Sequence, residues 1–196
     1  MSNLSTGRIV GVLFLAAFVC YGAGSALIDS PVGVALVMLN SVVVATLGIL
    51  VFRMLRDSHI RTAVTYLAVR ALEAVLLAVG AVLLILIGSV AANDLAYRAG
   101  MLALGVGSMP FCRTLLQSQF VPGWLAVWGI VGYAALGAGA LLELVGLGQG
   151  LVLAIPGGLF EVALGVTLIA RGFPESTGRL SEAEMSAVMD RLGARA

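Results

Sequence analysis

The chain contains no lysine: all eleven of its basic residues are arginine. That absence removes the Schiff-base chemistry of retinal and pyridoxal proteins and the phosphate-gripping lysine of a Walker A loop. Histidine occurs once, as His59, so there is no HExxH pair, no bis-histidine haem arrangement and no histidine–carboxylate cage for a metal. Two cysteines, Cys20 and Cys112, lie in or at the end of apolar stretches without CxxC spacing. They are too few for a disulfide framework and read as small packing residues. The four aspartates, Asp29, Asp57, Asp94 and Asp190, all fall outside the apolar runs, which excludes a paired-aspartate intramembrane protease. No G-x-S-x-G elbow, G-x-G-x-x-G turn or P-loop occurs. No cofactor and no metal are expected, and the enzyme classes with recognisable tools are mostly excluded. Charge itself is scarce, at 11% of 196 residues, against about 25% in soluble domains. A net charge of +1 with no basic stretch interleaved with aromatics excludes nucleic acid as a partner.

What remains is apolar. Hydrophobic residues make up 61% of the chain and the mean hydropathy is +1.11. They run in blocks near the twenty or so residues that cross a bilayer core. The expected spans are residues 9–28, 32–52, 62–88, 99–116, a fifth from about 123 to 143, and 151–170. Asp29-Ser30-Pro31 marks a turn, Asn93, Asp94 and Arg98 mark a loop, and Pro110 interrupts the fourth run. The fold class is therefore an all-α membrane protein, a bundle of six transmembrane helices in residues 1–173, followed by a cytoplasmic tail over 174–196. In that tail Ser181 and Glu184 have the spacing of a capping box, and Met185, Val188, Met189 and Leu192 recur at helical spacing. A short amphipathic C-terminal cytoplasmic helix is expected, packed under the bundle or against a second subunit of a homo-oligomer.

Six spans sort the arginines. Arg8, Arg53, Arg56, Arg61, Arg113, Arg171, Arg179, Arg191 and Arg195 fall on the face that carries both termini, and only Arg98 on the other. By the positive-inside rule the first face is cytoplasmic. Small residues recur four apart at Gly7/Gly11, Ala134/Ala138 and Gly157/Glu161/Gly165, a spacing that lets membrane helices approach closely.

Charges placed deep in a bilayer face the bundle interior and find partners. Glu161 lies ten residues before Arg171, roughly 15 Å along a helix and so near the midplane. Arg70 and Glu73 share a helix face, with Tyr66 one turn earlier. Two depths are open for them: near the inner interface with Arg70 snorkelling outward, or about 10 Å inside the span. Asn40 is the strongly polar residue inside the second run, at a depth comparable to Glu161. The candidate site is thus Arg70, Glu73 and Glu161, with Asn40 and Tyr66 beside them.

Several segments together resemble the DUF4386 family of bacterial multi-span membrane proteins. They are Arg8-Ile-Val-Gly-Val-Leu-Phe-Leu, Asn40, Arg70-Ala-Leu-Glu73, Val121-Pro122-Gly123-Trp124-Leu125-Ala126, and Pro156 to Phe160-Glu161 with Leu164-Gly165. The resemblance spans about residues 7–173 and implies a small bacterial protein of the cell (inner) membrane; the family carries no assigned activity. Two readings follow. In the first, the buried Arg/Glu cluster binds a small molecule, a lipid headgroup or a proton, the arginine suiting an anionic headgroup. In the second, the protein is a structural or regulatory membrane subunit whose buried charges lock helices and whose tail docks a partner. Acid–base catalysis by Glu73 and Glu161 ranks third.

Overall fold

The computed structural model describes residues 3–173, so the amphipathic helix expected in the tail lies outside the described residues. The described residues form seven helices: α1 (Asn3–Ala26), α2 (Pro31–Leu55), α3 (Ile60–Ile87), α4 (Val90–Gly107), α5 (Met109–Gln117), α6 (Gly123–Leu144) and α7 (Gly150–Arg171). Counting α4 and α5 as one interrupted span, six are long and apolar enough to cross a membrane. The protein is an all-helical, multi-pass membrane bundle.

Local chemistry sets the helix ends. Ser30 caps α2 by accepting a hydrogen bond from Gly33 N at 3.1 Å, with Pro31 pre-set for the first helical position. The turn before it is so tight that a Cβ on Gly33 would run into the Leu27 carbonyl. Gly88 ends α3 in the left-handed conformation, at φ +63°, and its N–H reaches Leu84 O.

The fourth span departs from expectation. Asn93, Asp94 and Arg98 do not form a loop; they lie in the opening turns of α4, which Ser89 caps by accepting from Ala92 N at 3.2 Å. Polar residues in the first turns of a helix satisfy its free N–H end and reach the membrane surface, so hydropathy alone displaces the start of the span. The same span then breaks at Ser108, where Pro110 opens α5 and the Ser108 hydroxyl is buried without a hydrogen-bond partner.

The helices close a ring. Each packs on the next in the order α1, α2, α3, α4, α6, α7, and α7 returns to α1, with α5 tucked against α6 and α3. Bare backbone makes several of these contacts. A Cβ on Gly11 would meet the carbonyl of Gly165, Gly132 and Gly157 face one another across α6 and α7, and Gly105 of α4 lies on Gly137 of α6. Gly157 and Gly165 thus grip two different neighbours of α7, with Glu161 between them. Ala134 and Ala138, by contrast, are exposed on the outer surface of α6.

Packing along the ring axis is uneven. In the half nearer the N-terminus, Phe14, Leu47, Leu55, Phe111, Leu115, Leu125, Phe160 and Leu164 are fully buried in one continuous core. The opposite half is hollow.

Candidate functional site

Arg70 sits ten residues into α3, about 15 Å from its start. Gly48 of α2 makes room for it: a Cβ there would press on the Arg70 Cβ at 2.8 Å. The side chain is 1% exposed and Glu73 4%. The outward-snorkelling arrangement is not adopted; both charges are inside the bundle.

Burying a guanidinium in an apolar interior costs several kcal/mol unless its donors are met, and four of its five N–H donors are. Arg70 Nε donates to Tyr66 Oη at 2.9 Å and Nη1 to Glu73 Oε2 at 2.9 Å. Nη2 donates to Glu161 Oε1 at 2.5 Å and to Tyr133 Oη at 3.4 Å. Tyr133 in turn donates to Glu161 Oε1 at 2.8 Å. The guanidinium carbon also lies 5.6 Å from the Phe14 ring centroid and 5.3 Å from that of Tyr66, within the range of cation–π attraction. One arginine therefore ties α3, α6 and α7 together by hydrogen bonds and touches α1 through Phe14.

Arg70, Glu73, Glu161 and Tyr66, the candidates expected from sequence, join in one network. The fork of the guanidinium serves both carboxylates at once. Asn40 stands apart from this network. It is 3% exposed, and its Oδ1 has no hydrogen-bond partner. Tyr133 and Phe14 were not singled out. For Tyr133 the available signal was a phenol in the middle of an otherwise uncharged span, since a buried tyrosine hydroxyl needs a partner.

Above this network, on the side away from the buried core, lies a cavity of about 450 Å³. Arg70, Glu73, Glu161 and Asn40 line it, and they are its strongly polar contributors besides three tyrosines, Tyr21, Tyr97 and Tyr133. Its walls come from the second half of α1, the first half of α2, and α3, α4, α6 and α7. α1 and α4 do not pack directly among the described residues; Tyr21 and Tyr97 span the gap with rings stacked at 5.1 Å. Phe18 of α1 and Leu159 of α7, which also line the cavity, are exposed on the outer surface, so one wall is open toward lipid. Beside it, Arg98 Nε pairs with Glu143 Oε2 at 3.3 Å at the edge of a smaller cavity of about 70 Å³.

With 450 Å³, apolar walls and a few convergent polar groups, the cavity has the size and make-up of a small-molecule site. The charges lining it do not cancel: one arginine stands against two glutamates.

A family model described as a domain of unknown function (DUF4386) matches residues 31–172, which covers α2 to α7 and leaves α1 outside. No curated protein and no solved structure matches the chain.

Proposed function

The chain belongs to the DUF4386 family, and from that footing we propose that it is a bacterial inner-membrane protein that binds a small molecule at the Arg70–Glu73–Glu161 cluster. The observation that carries this reading is the cavity that ends on the cluster, where the Glu161 side chain stays 15% exposed.

Both termini are cytoplasmic in this proposal. Arg53, Arg56 and Arg61 flank the α2–α3 turn, Arg113 lies in α5 and Arg171 ends α7, all toward the N-terminal face. Arg98 on the opposite side is offset by Glu143. The cavity then faces the outer half of the membrane.

The structural-subunit reading has one observation in its favour, the four hydrogen bonds by which Arg70 joins α3 to α6 and α7. The two are separated by the lipids and small molecules that co-purify with wild type, Glu161→Gln and Ala154→Phe, the last placing a ring in the cavity from a residue that lines it. Binding predicts a species present in wild type and lost in both variants, with Ala154→Phe unfolding at the wild-type temperature. Identical profiles in all three proteins would leave the cluster a helix lock.

A further inference from the structure

We infer that the occupant is a monovalent organic cation with an apolar body, an amphipathic amine or quaternary ammonium; the inference rests on the binding reading above and specifies its ligand. Arginine in a membrane cavity suggests an anionic headgroup at first sight, and the sequence reading allowed for one. The geometry points the other way. Four of the five N–H donors of the Arg70 guanidinium are used, on Tyr66, Glu73, Glu161 and Tyr133. Arg70 is 1% exposed, with the rings of Phe14 and Tyr66 against its guanidinium. An incoming anion finds one N–H left on Nη1 or must displace a carboxylate, and in either place it faces both carboxylates.

A cation meets the opposite situation. The charged side chains that line the cavity are Arg70, Glu73 and Glu161, one positive and two negative, so the site as a unit lacks one positive charge. The independent observation is which carboxylate oxygens are used. The hydrogen bonds of the network go to Glu73 Oε2 and Glu161 Oε1, which leaves Glu73 Oε1 and Glu161 Oε2 as acceptors on two residues that line the cavity. An ammonium group supplies the missing charge and N–H donors for those oxygens.

The remainder of the cavity asks for carbon. Its walls include Ala17, Val44, Leu77, Leu104 and Leu136, and the stacked Tyr21 and Tyr97 present aromatic surface. Among the described residues no three histidine, cysteine, aspartate or glutamate side chains come together to hold a metal ion, and a hard inorganic cation would leave the apolar space empty. A proton on either carboxyl would supply the same unit of charge without filling the cavity, and the experiment separates it from an organic cation.

The full-length protein in lipid nanodiscs is titrated calorimetrically with benzylamine, benzoate and benzyl alcohol, three probes of nearly equal shape carrying positive, negative and no charge. The expected result is one site for benzylamine, at least about tenfold tighter than for the other two, as an opposite charge in a poorly screened cavity dictates. Glu73→Gln and Glu161→Gln each restore neutrality without a ligand and should each reduce that ratio to about threefold or less. Two variants are used so that one that fails to fold does not decide the matter. Tightest binding of benzoate, or equal binding of benzylamine and benzyl alcohol, overturns the inference. The binding reading survives that outcome if the favoured probe is lost in Ala154→Phe. If none of the three binds, the inference falls, and a proton or another occupant holds the site. If, in addition, wild type and Ala154→Phe co-purify with the same molecules, the binding reading falls with it.

Discussion

Replacing Arg70 with methionine keeps an unbranched side chain in the slot beside Gly48 while removing every hydrogen bond that Arg70 donates to the central network. Glu73 and Glu161 lose partners at 2.9 and 2.5 Å, and Tyr66 loses the donor to its hydroxyl. Breaking a buried ion pair by deleting one partner costs about 3–5 kcal/mol, because the other charge stays buried and uncompensated. At about 2–4 °C per kcal/mol for a chain of this length, Arg70→Met should lower the unfolding temperature by about 6–20 °C. Unfolding can be followed in detergent with a thiol-reactive fluorophore on Cys112, which is fully buried, in a Cys20→Ser background. The informative comparison is the triple variant Arg70→Met/Glu73→Gln/Glu161→Gln. It lacks the same ion pairs yet carries no unmatched charge, so it should recover half or more of the loss. If Arg70→Met shifts the transition by less than about 2 °C, or if the triple variant is no more stable than the single one, the uncompensated-charge argument is wrong.

Two further outcomes follow from packing and orientation. Alanine at Gly11 places a methyl group against the Gly165 carbonyl, whereas at Gly22 it meets open space. Gly11→Ala should destabilise by about 1–3 kcal/mol through overpacking, and Gly22→Ala should stabilise by about 0.5–1 kcal/mol through helix propensity; shifts of the same sign in one melting series would contradict the contact. In a cysteine-free background, a membrane-impermeant maleimide added to intact cells should label Asp29→Cys in the α1–α2 turn but not Ser58→Cys in the α2–α3 turn, and the reverse pattern would invert the proposed orientation.

The features that could be read in the sequence are those carried by a single helix. Runs of apolar residues report the length of a span whatever it packs against, and Arg70 and Glu73 share a face by helical spacing alone. Glu161 was legible because a carboxylate at such depth must have a partner, and arginine was the chemistry on offer. Which arginine, and in which geometry, depends on a fold that brings together residues 91 apart in the chain. Tyr133 escaped notice for the same reason, since its partners lie 28 and 63 residues away. Asn40 illustrates the converse: its depth was readable, but its lack of a partner is a property of the space around it. The break at Ser108 was marked by Pro110, yet the helical start at Val90 was hidden because polar residues at a helix N-terminus resemble a loop in hydropathy.

The tightly packed half of the bundle makes the cavity a dead end. Beneath the Arg70 network, Leu47, Leu55, Phe111, Cys112 and Leu164 are buried in one continuous core, which closes the inner end of the cavity. A bilayer carrying the protein in this conformation passes no steady current, whatever the voltage. Any flux through it has to be stoichiometric, one occupant for each rearrangement of the packed half. It would saturate with concentration and turn over no faster than the microsecond-to-second timescale of such collective motions.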